Sequence, residues 1–347
     1  MRTELFDYHL PPELIAQTPA PRGQSRLLVL HRKTGHIEHR RFEDLTEYLS
    51  AGDTLVMNNT RVTARRLKGI RESGSSAEVL LICPIGERSW EALVKPGKSL
   101  KLGRTVQIIS PAPSVPNPIA TITATTEEGG RILEFVDTAT RDSLENWGES
   151  PLPPYIHTPL GRDEEERYQT IYAKSGGSVA APTAGLHFTF ELMRSIRELG
   201  VETAEITLEV GVGTFRPVKT ETVELHEMHR EAYHLVTETA ERINGTKGRV
   251  VAVGTTSVRT LETIGATLEE GYGKRVVPSI GNTALFITPG YRFRVVDAIV
   301  TNFHLPCSTL LMLISAFASR EQIMHAYEVA IQERYRFFSF GDAMLIL

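Results

Sequence analysis

Asp53-Thr54-Leu55-Val56-Met57, running into Asn58-Asn59-Thr60-Arg61, is where this chain changes texture. Residues 53–57 read as a strand, and the Asn-Asn-Thr-Arg tail ends it in turn-forming polar residues. Upstream, residues 12–17 suit a short helix and 26–31 a strand, so the first sixty residues read as α/β. Downstream, short β-like runs follow at 77–82, 89–95, 105–109, 119–125 and 131–136. Turn-rich stretches such as Glu72-Ser73-Gly74-Ser75-Ser76 and Pro96-Gly97-Lys98 separate them, with no long amphipathic helix between. Strands so short and so spaced predict a small β-barrel or sandwich. Ser150-Pro151-Leu152-Pro153-Pro154 reads as its exit linker.

Beyond the linker the α/β texture resumes. Phe188 and Thr189 resemble a staple residue and an N-cap for a helix from Phe190 that Gly200 stops. Residues 205–212 alternate, with Ile206, Leu208, Val210 and Val212 on one face. Residues 249–253 suit a buried strand, with Thr256 or Ser257 capping the next helix, and 294–300 another strand. A final helix over 321–334 and a strand over 343–346 complete the pattern. The expected fold is a mixed α/β main domain, discontinuous in sequence, made of residues 1–61 and 150–347. It carries an inserted, small all-β, barrel-like domain of residues 62–149.

At 347 residues the chain is long enough to bury a substantial core in two domains. Its net charge of −4 argues against a strong global field. Between residues 61 and 104, however, ten Lys/Arg face four Glu, a net +6 that leaves −10 for the rest. A basic segment on an acidic body suits a polyanionic partner, although solvated surface lysines would give the same count. The two cysteines, Cys83 and Cys307, show no ligand spacing and argue for a reducing compartment. No apolar run approaches the ~20 residues of a membrane span, and the N-terminal residues hold no hydrophobic signal core. A soluble, cytoplasmic protein is expected.

Four polar turns could carry chemistry. Thr301-Asn302-Phe303-His304-Leu305-Pro306-Cys307-Ser308-Thr309 joins a strand to an apolar helix, with Ser308 or Thr309 as cap. Ala180-Ala181-Pro182-Thr183-Ala184-Gly185-Leu186-His187 supplies small residues that let a ligand approach the backbone, just before a helix start. Gly254-Thr255-Thr256-Ser257-Val258-Arg259 suits an anion, a carboxylate or ribose hydroxyls, with Arg259 as a bidentate partner. It lacks the Walker spacing. Asn58, Asn59 and Arg61 offer amides and a guanidinium to a base or ribose. Each of these also suits a plain capped turn.

Glu209 stands on the polar side of a strand that ends in Gly211 and Gly213, where it could meet an amine or a base-edge N–H. A third glycine and a following helix are missing, so no dinucleotide fingerprint is read here. His226-Glu227-Met228-His229-Arg230-Glu231-Ala232-Tyr233-His234 is not H-E-x-x-H, and strand alternation turns His234 away from Glu231 and Tyr233. No metal site is expected, and His226 is given a hydrogen-bonding or acid–base role. No G-x-S-x-G elbow is present. Arg22 and Arg26 lie in a small-residue loop that could touch phosphate.

Together these strings resemble the S-adenosylmethionine:tRNA ribosyltransferase-isomerase family of queuosine biosynthesis. The likeness takes in Phe6-Asp7-Tyr8 with Leu10-Pro11, Ser25-Arg26-Leu27-Leu28, Asn58-Asn59-Thr60-Arg61, Tyr168-Gln169-Thr170 and residues 181–188. It continues through 209–215, His226 with Glu231, 254–259 and 301–311, so it spans the chain in order. The resemblance implies a metal-free transfer of the ribosyl group of S-adenosylmethionine to 7-aminomethyl-7-deazaguanine at the tRNA wobble position. Isomerisation then yields epoxyqueuosine, while adenine and methionine leave. S-adenosylmethionine is thus a consumed substrate, no prosthetic group is implied, and a monomer is expected.

That chemistry constrains roles. The sulfonium acidifies the C5′ hydrogens, so a general base must lie beside that carbon. His187 or His304 is expected as base or acid, and Glu209 as partner of the amine or deazaguanine. Arg259 with Thr255, Thr256 and Ser257 is expected at the methionine end. Asn58, Asn59, Asn302 and Phe303 are expected to hold adenine and ribose, Phe303 by stacking, and Arg61, Thr183 and Gly185 are expected among the substrate-binding residues. Arg22, Arg26, Arg65, Arg66, Lys95 and Lys98 are expected on tRNA phosphates.

Overall fold

A computed structural model describes the chain except residues 112, 127–128, 137–143, 145–146, 154, 159–161, 212–217, 270–272 and 274, and leaves out the side chains of 162–164. Val212, Gly213 and Pro154, used above, lie outside the described residues. The first strands are β1 (Arg26–His31), β2 (His36–Arg41), β3 (Thr54–Asn58) and β4 (Thr60–Val62). Next come β5 (Arg65–Arg71), β6 (Ser76–Pro84), β7 (Ser89–Lys95), β8 (Thr105–Ile108), β9 (Ile119–Thr125) and β10 (Arg131–Glu134). Then follow β11 (Ser175–Ser178), α1 (Phe190–Glu198), β12 (Glu202–Leu208), β13 (Glu231–Leu235), α2 (Thr237–Asn244) and β14 (Val250–Val253). The chain closes with α3 (Thr255–Ala266), β15 (Ser279–Thr283), β16 (Ala298–Asn302), α4 (Thr309–Phe317), α5 (Arg320–Gln332) and β17 (Ala343–Ile346).

Nine strands form one sheet in the order β15-β13-β12-β3-β14-β16-β17-β1-β2. β12, β3, β14 and β16 are mutually parallel, and β17 returns antiparallel to β16, pairing Asn302 with Ala343. The central strands are buried along their whole length because the sheet is covered on both faces. Alternate residues serve opposite cores. Val250, Ala252, Met344 and Ile346 join the core that holds Val258, Leu261 and Ile264 of α3. Val251, Val253, Ala343 and Leu345 join the one that holds Leu192, Met193 and Ile196 of α1.

The six strands β5 to β10 close a separate barrel in the order β10-β7-β6-β5-β8-β9. Alternation points Val79, Leu81, Trp90, Ala92, Ala120, Ile122 and Leu133 into its core. At its neck Arg66 and Glu149 exchange both backbone hydrogen bonds, at 2.9 and 3.1 Å. Gly148 there has φ +75, and a Cβ would come within 2.4 Å of the Arg66 carbonyl oxygen, so only glycine fits.

The structure departs from the expected elements at identifiable places. β2 and β5 were not anticipated: β2 is a charged edge strand, and β5 reads Arg-Arg-Leu-Lys-Gly-Ile-Arg. The strand expected over 294–300 begins only at Ala298. The backbone N–H groups of Arg294, Val295 and Val296 donate instead to the buried Glu262 carboxylate, at 2.9, 3.0 and 3.0 Å. α3 is capped by Gly254 at φ +84 rather than by Thr256 or Ser257. The helix expected over 12–17 is a single 3₁₀ turn, Pro12–Leu14.

Candidate active site

The carboxyl ends of β14 and β16 open into one cleft, the usual place for a ligand in an α/β sheet. Gly254, Thr255 and Thr256 line it from the start of α3, and Thr301 to Leu305 from the end of β16. Ala181, Pro182, Thr183 and Ala184 cover it, and Tyr155, Phe338 and Ser339 form the remaining wall. Its empty space is about 650 Å³ counting the open mouth. Among the described residues, no Asp, Glu, Lys or Arg lines it.

Local sequence explains the polar walls. At Gly254 the backbone takes a left-handed turn and no side chain caps α3, so its first-turn N–H groups face the cleft uncapped. The Thr256 hydroxyl is buried there without a hydrogen-bond partner. Ser257 differs: its hydroxyl donates back to the Val253 carbonyl at 2.8 Å. Ser308 caps α4 by accepting from Leu311 N–H at 3.2 Å, and so pins the turn that carries His304.

His304 is held by its backbone: its N–H donates to Tyr327 Oη at 2.8 Å and its carbonyl accepts from the Tyr8 hydroxyl. Its Nε2 lies 2.8 Å from Thr301 Oγ1. His187 sits behind the cleft, with Nδ1 2.9 Å from Ser25 Oγ and Nε2 3.1 Å from Asn302 Nδ2. Asn302 Oδ1 accepts from the Thr183 hydroxyl at 3.0 Å. Burial pushes the His304 imidazole down to about 3. Burial, then the nearby Arg22 and Arg336 charges, does the same to His187. Both rings are neutral at neutral pH.

Those two rings predict an acid-sensitive stability. Unfolded, each imidazole titrates near 6.5, and folded, near 3. Above pH 6.5 neither opposes folding. Between 6.5 and 3 the unfolded chain takes up protons that the folded chain refuses, so stability falls with pH. The loss is about 1.4 kcal/mol per pH unit per ring. Urea midpoints from pH 7.5 down to 5 should therefore drop more steeply for the wild type than for His187→Gln. Parallel curves would show that His187 is not a buried neutral ring.

The structure gathers Thr183, Thr255, Thr256, Asn302, Phe303 and His304 along the cleft and puts the other expected residues elsewhere. The Phe303 ring is fully buried among Tyr327, Tyr335 and Phe337, so it offers no face for stacking. Arg259 is committed to a buried ion pair with Glu231, behind β13 and β15. Asn58 is also internal: Nδ2 donates to the Leu208 carbonyl and Oδ1 accepts from Leu208 N–H, both at 3.0 Å. Asn59 bridges Glu205 and Thr207, and Arg61 pairs with Glu166. Gly185 is needed for close packing, since a Cβ would meet the Tyr172 hydroxyl. Glu209 lies just past β12 beside Gly177, and burial raises its carboxyl above the ordinary value. Its neighbour Val210 lines the cleft. His226 packs edge-on against Phe286, and its pKa is lowered by burial and then by His229.

The six expected phosphate contacts do not form one patch. Arg22 donates inward to the Leu186, Glu166 and Gln169 carbonyls, and Arg26 stacks on Tyr335 at 3.7 Å. Arg65 and Arg66 stay at the barrel neck, bonded to Glu165 and to the Leu152 carbonyl. Lys95 is exposed beside Glu78, and Lys98 shares an open groove with Arg71, Lys101 and Arg104. Lys101 and Arg104 were counted in the basic segment but not singled out, because neighbourhood across the barrel is not visible in sequence.

Tyr155, Phe338 and Ser339 were missed altogether. Tyr155 lies next to the Pro-rich linker and bonds Ser339 Oγ at 2.7 Å. Phe338 has φ +70, a conformation a bulky residue adopts only under constraint. Both also wall a second, open groove with Asp7, Tyr8, His9, Leu10, Ile15 and Leu305. Among the described residues, no three His, Cys, Asp or Glu could hold a metal ion, and no helix is long and apolar enough to cross a membrane.

Comparison with known proteins agrees with this geometry in family. The family model described as "Queuosine biosynthesis protein" matches residues 3–346. The S-adenosylmethionine:tRNA ribosyltransferase-isomerase of Symbiobacterium thermophilum is 54% identical over the full length of both chains. That of a Thermoanaerobacter species is 51% identical, again over all of both. The crystal structure of S-adenosylmethionine tRNA ribosyltransferase from Thermotoga maritima aligns with a TM-score of 0.55 at 42% identity, covering 99% of this chain and 100% of that one. With a match to all but its terminal residues, the chain belongs to the queuosine biosynthesis protein family.

Proposed function

We propose that this protein transfers and isomerises the ribosyl moiety of S-adenosylmethionine onto 7-aminomethyl-7-deazaguanine at the wobble position of tRNA. The products are epoxyqueuosine-tRNA, adenine and methionine. The observation that carries the reading is the partnerless, buried Thr256 hydroxyl beside the open N-terminus of α3, in a cleft lined by no charged side chain among the described residues. The methionine carboxylate meets those amides and the Thr255 and Thr256 hydroxyls. A sulfonium in such a low-dielectric cleft keeps its full pull on the C5′ hydrogens.

His304 is the general base. In the tautomer whose Nε2–H donates to Thr301, its Nδ1 takes the C5′ proton, and burial keeps the ring neutral. Thr183 and Asn302 hold ribose and adenine. The groove of Asp7, Tyr8 and His9 shares Tyr155, Leu305 and Phe338 with the cleft and admits the tRNA base. Glu209, with its raised carboxyl, takes the proton of the attacking amine. Exposed Lys95 and Lys98, joined by Lys101 and Arg104, meet tRNA phosphates. Residues 1–61 and 150–347 form the catalytic domain and 62–149 an inserted barrel domain. The enzyme acts in the cytoplasm as a monomer and needs no prosthetic group.

The test is mass spectrometry of nucleosides from precursor tRNA incubated with the protein and S-adenosylmethionine. Epoxyqueuosine with an equal amount of free adenine is expected. Absence of both, from verified tRNA and folded protein, rejects the reading.

A further inference from the structure

His187 lies outside the cleft, yet with the Phe338 carbonyl it holds the Asn302 amide that faces the cleft. The Phe338 carbonyl oxygen can only accept, so the Asn302 atom 3.2 Å from it must be the amide nitrogen. That same nitrogen lies 3.1 Å from His187 Nε2, which therefore accepts. The ring proton is left on Nδ1, which donates to Ser25 Oγ at 2.9 Å. With its nitrogen so committed, Asn302 turns Oδ1 toward Thr183, whose hydroxyl donates to it at 3.0 Å. Thr183 has then spent its one proton and shows the cleft only lone pairs. Ser25, His187 and Asn302 are all at most 5% exposed, so the chain of bonds is largely screened from bulk solvent. The ring is held in place by Phe42, 4.9 Å away between centroids.

We propose that His187 is a positioning residue which, through Asn302, makes Thr183 an obligate acceptor for an O–H or N–H donor of the bound substrate. The inference rests on S-adenosylmethionine as that substrate and deepens the reading above. Three kinds of its groups have the required chemistry: a ribose hydroxyl, the exocyclic amine of adenine and the methionine ammonium. A merely structural imidazole would affect stability but not the donor preference of the cleft.

The experiment is a double-mutant cycle read by calorimetric binding of S-adenosylmethionine and by steady-state kinetics. His187→Leu removes the acceptor, and Thr183→Val removes the hydroxyl with little change of shape. Each is expected to raise Kd and KM for S-adenosylmethionine about tenfold with KM for tRNA unchanged. The double variant should be no worse than either single one, because both break one chain of bonds. His187→Gln, whose amide can accept and donate along the same line, should restore most of the affinity. Analogues lacking the 2′ or 3′ hydroxyl, or dimethylated at the adenine amine, identify the donor. The analogue that binds wild type poorly and Thr183→Val no worse than S-adenosylmethionine lacks the group Thr183 reads. Additive losses in the double variant, or unchanged affinity in Thr183→Val, would overturn the relay alone. Wild-type protein that fails to bind S-adenosylmethionine would overturn the relay and the proposed function together.

Discussion

Replacing His304 by Gln is expected to lower kcat by about 10²–10⁴-fold, the span of general acid–base contributions. Two of the three hydrogen bonds that seat the residue are made by its main chain, to Tyr327 and Tyr8, so Gln keeps the turn in place. Gln also fits near Thr301 Oγ1 but cannot take a proton from carbon. The defect should appear in single-turnover rates at saturating S-adenosylmethionine, with KM little altered. A second readout isolates the step: wild type incubated in D₂O should wash deuterium into C5′, and the variant should not. Normal turnover by a folded His304→Gln protein would move the base elsewhere, with Glu209 first in line because of its raised carboxyl.

Arg259→Met should give the largest loss of stability, about 3–5 kcal/mol, the usual cost of stranding one member of a buried ion pair. Both side chains are almost wholly enclosed, and Glu231 also accepts from Gly211 N–H at 2.9 Å. Without the guanidinium a carboxylate remains in the interior among apolar residues, while α3 loses its tie to β13 and to the Leu285 carbonyl. The paired change Arg259→Met with Glu231→Leu removes both charges and should recover much of the loss. Urea midpoints of the four proteins measure this directly. A loss below about 1 kcal/mol for Arg259→Met would mean that the pair is solvated.

The contrast between these two residues explains how far the sequence could be read. His304 stands in a strand-turn-helix segment whose neighbours dictate its geometry: Ser308 caps α4, and Leu311 to Ile314 bury it. Thr183, Thr255 and Thr256 lie in similar segments, and all reach one cleft because their strands and turns end on one edge of the sheet. Arg259 stands in such a segment too. One helical turn beyond Thr255, however, it lies outside the cleft and meets Glu231, which arrives from a strand 28 residues away. Phe303 was misread for a related reason. An aromatic residue in a polar turn can face solvent or core, and three rings from residues 327–337 decided for the core.

Periodicity and turn chemistry are local, and from them the sequence by itself determined the alternation of texture, the barrel strands β6 to β9 and the strands β1 and β17. The buried stretch around β14 and the Ser308 cap of α4 were legible for the same reason, whereas the cap expected for α3 was not made. Only the tertiary structure decided which turns meet, that Glu262 would take the backbone donors expected to extend β16, and that Phe338 would be held at positive φ beside Asn302. It also turned Asn58 and Arg259 inward and split the basic residues between the barrel neck and its far groove. These outcomes depend on partners distant in the chain, and hydrogen-bond donors and charges find such partners only after the sheet has fixed where its strand ends lie.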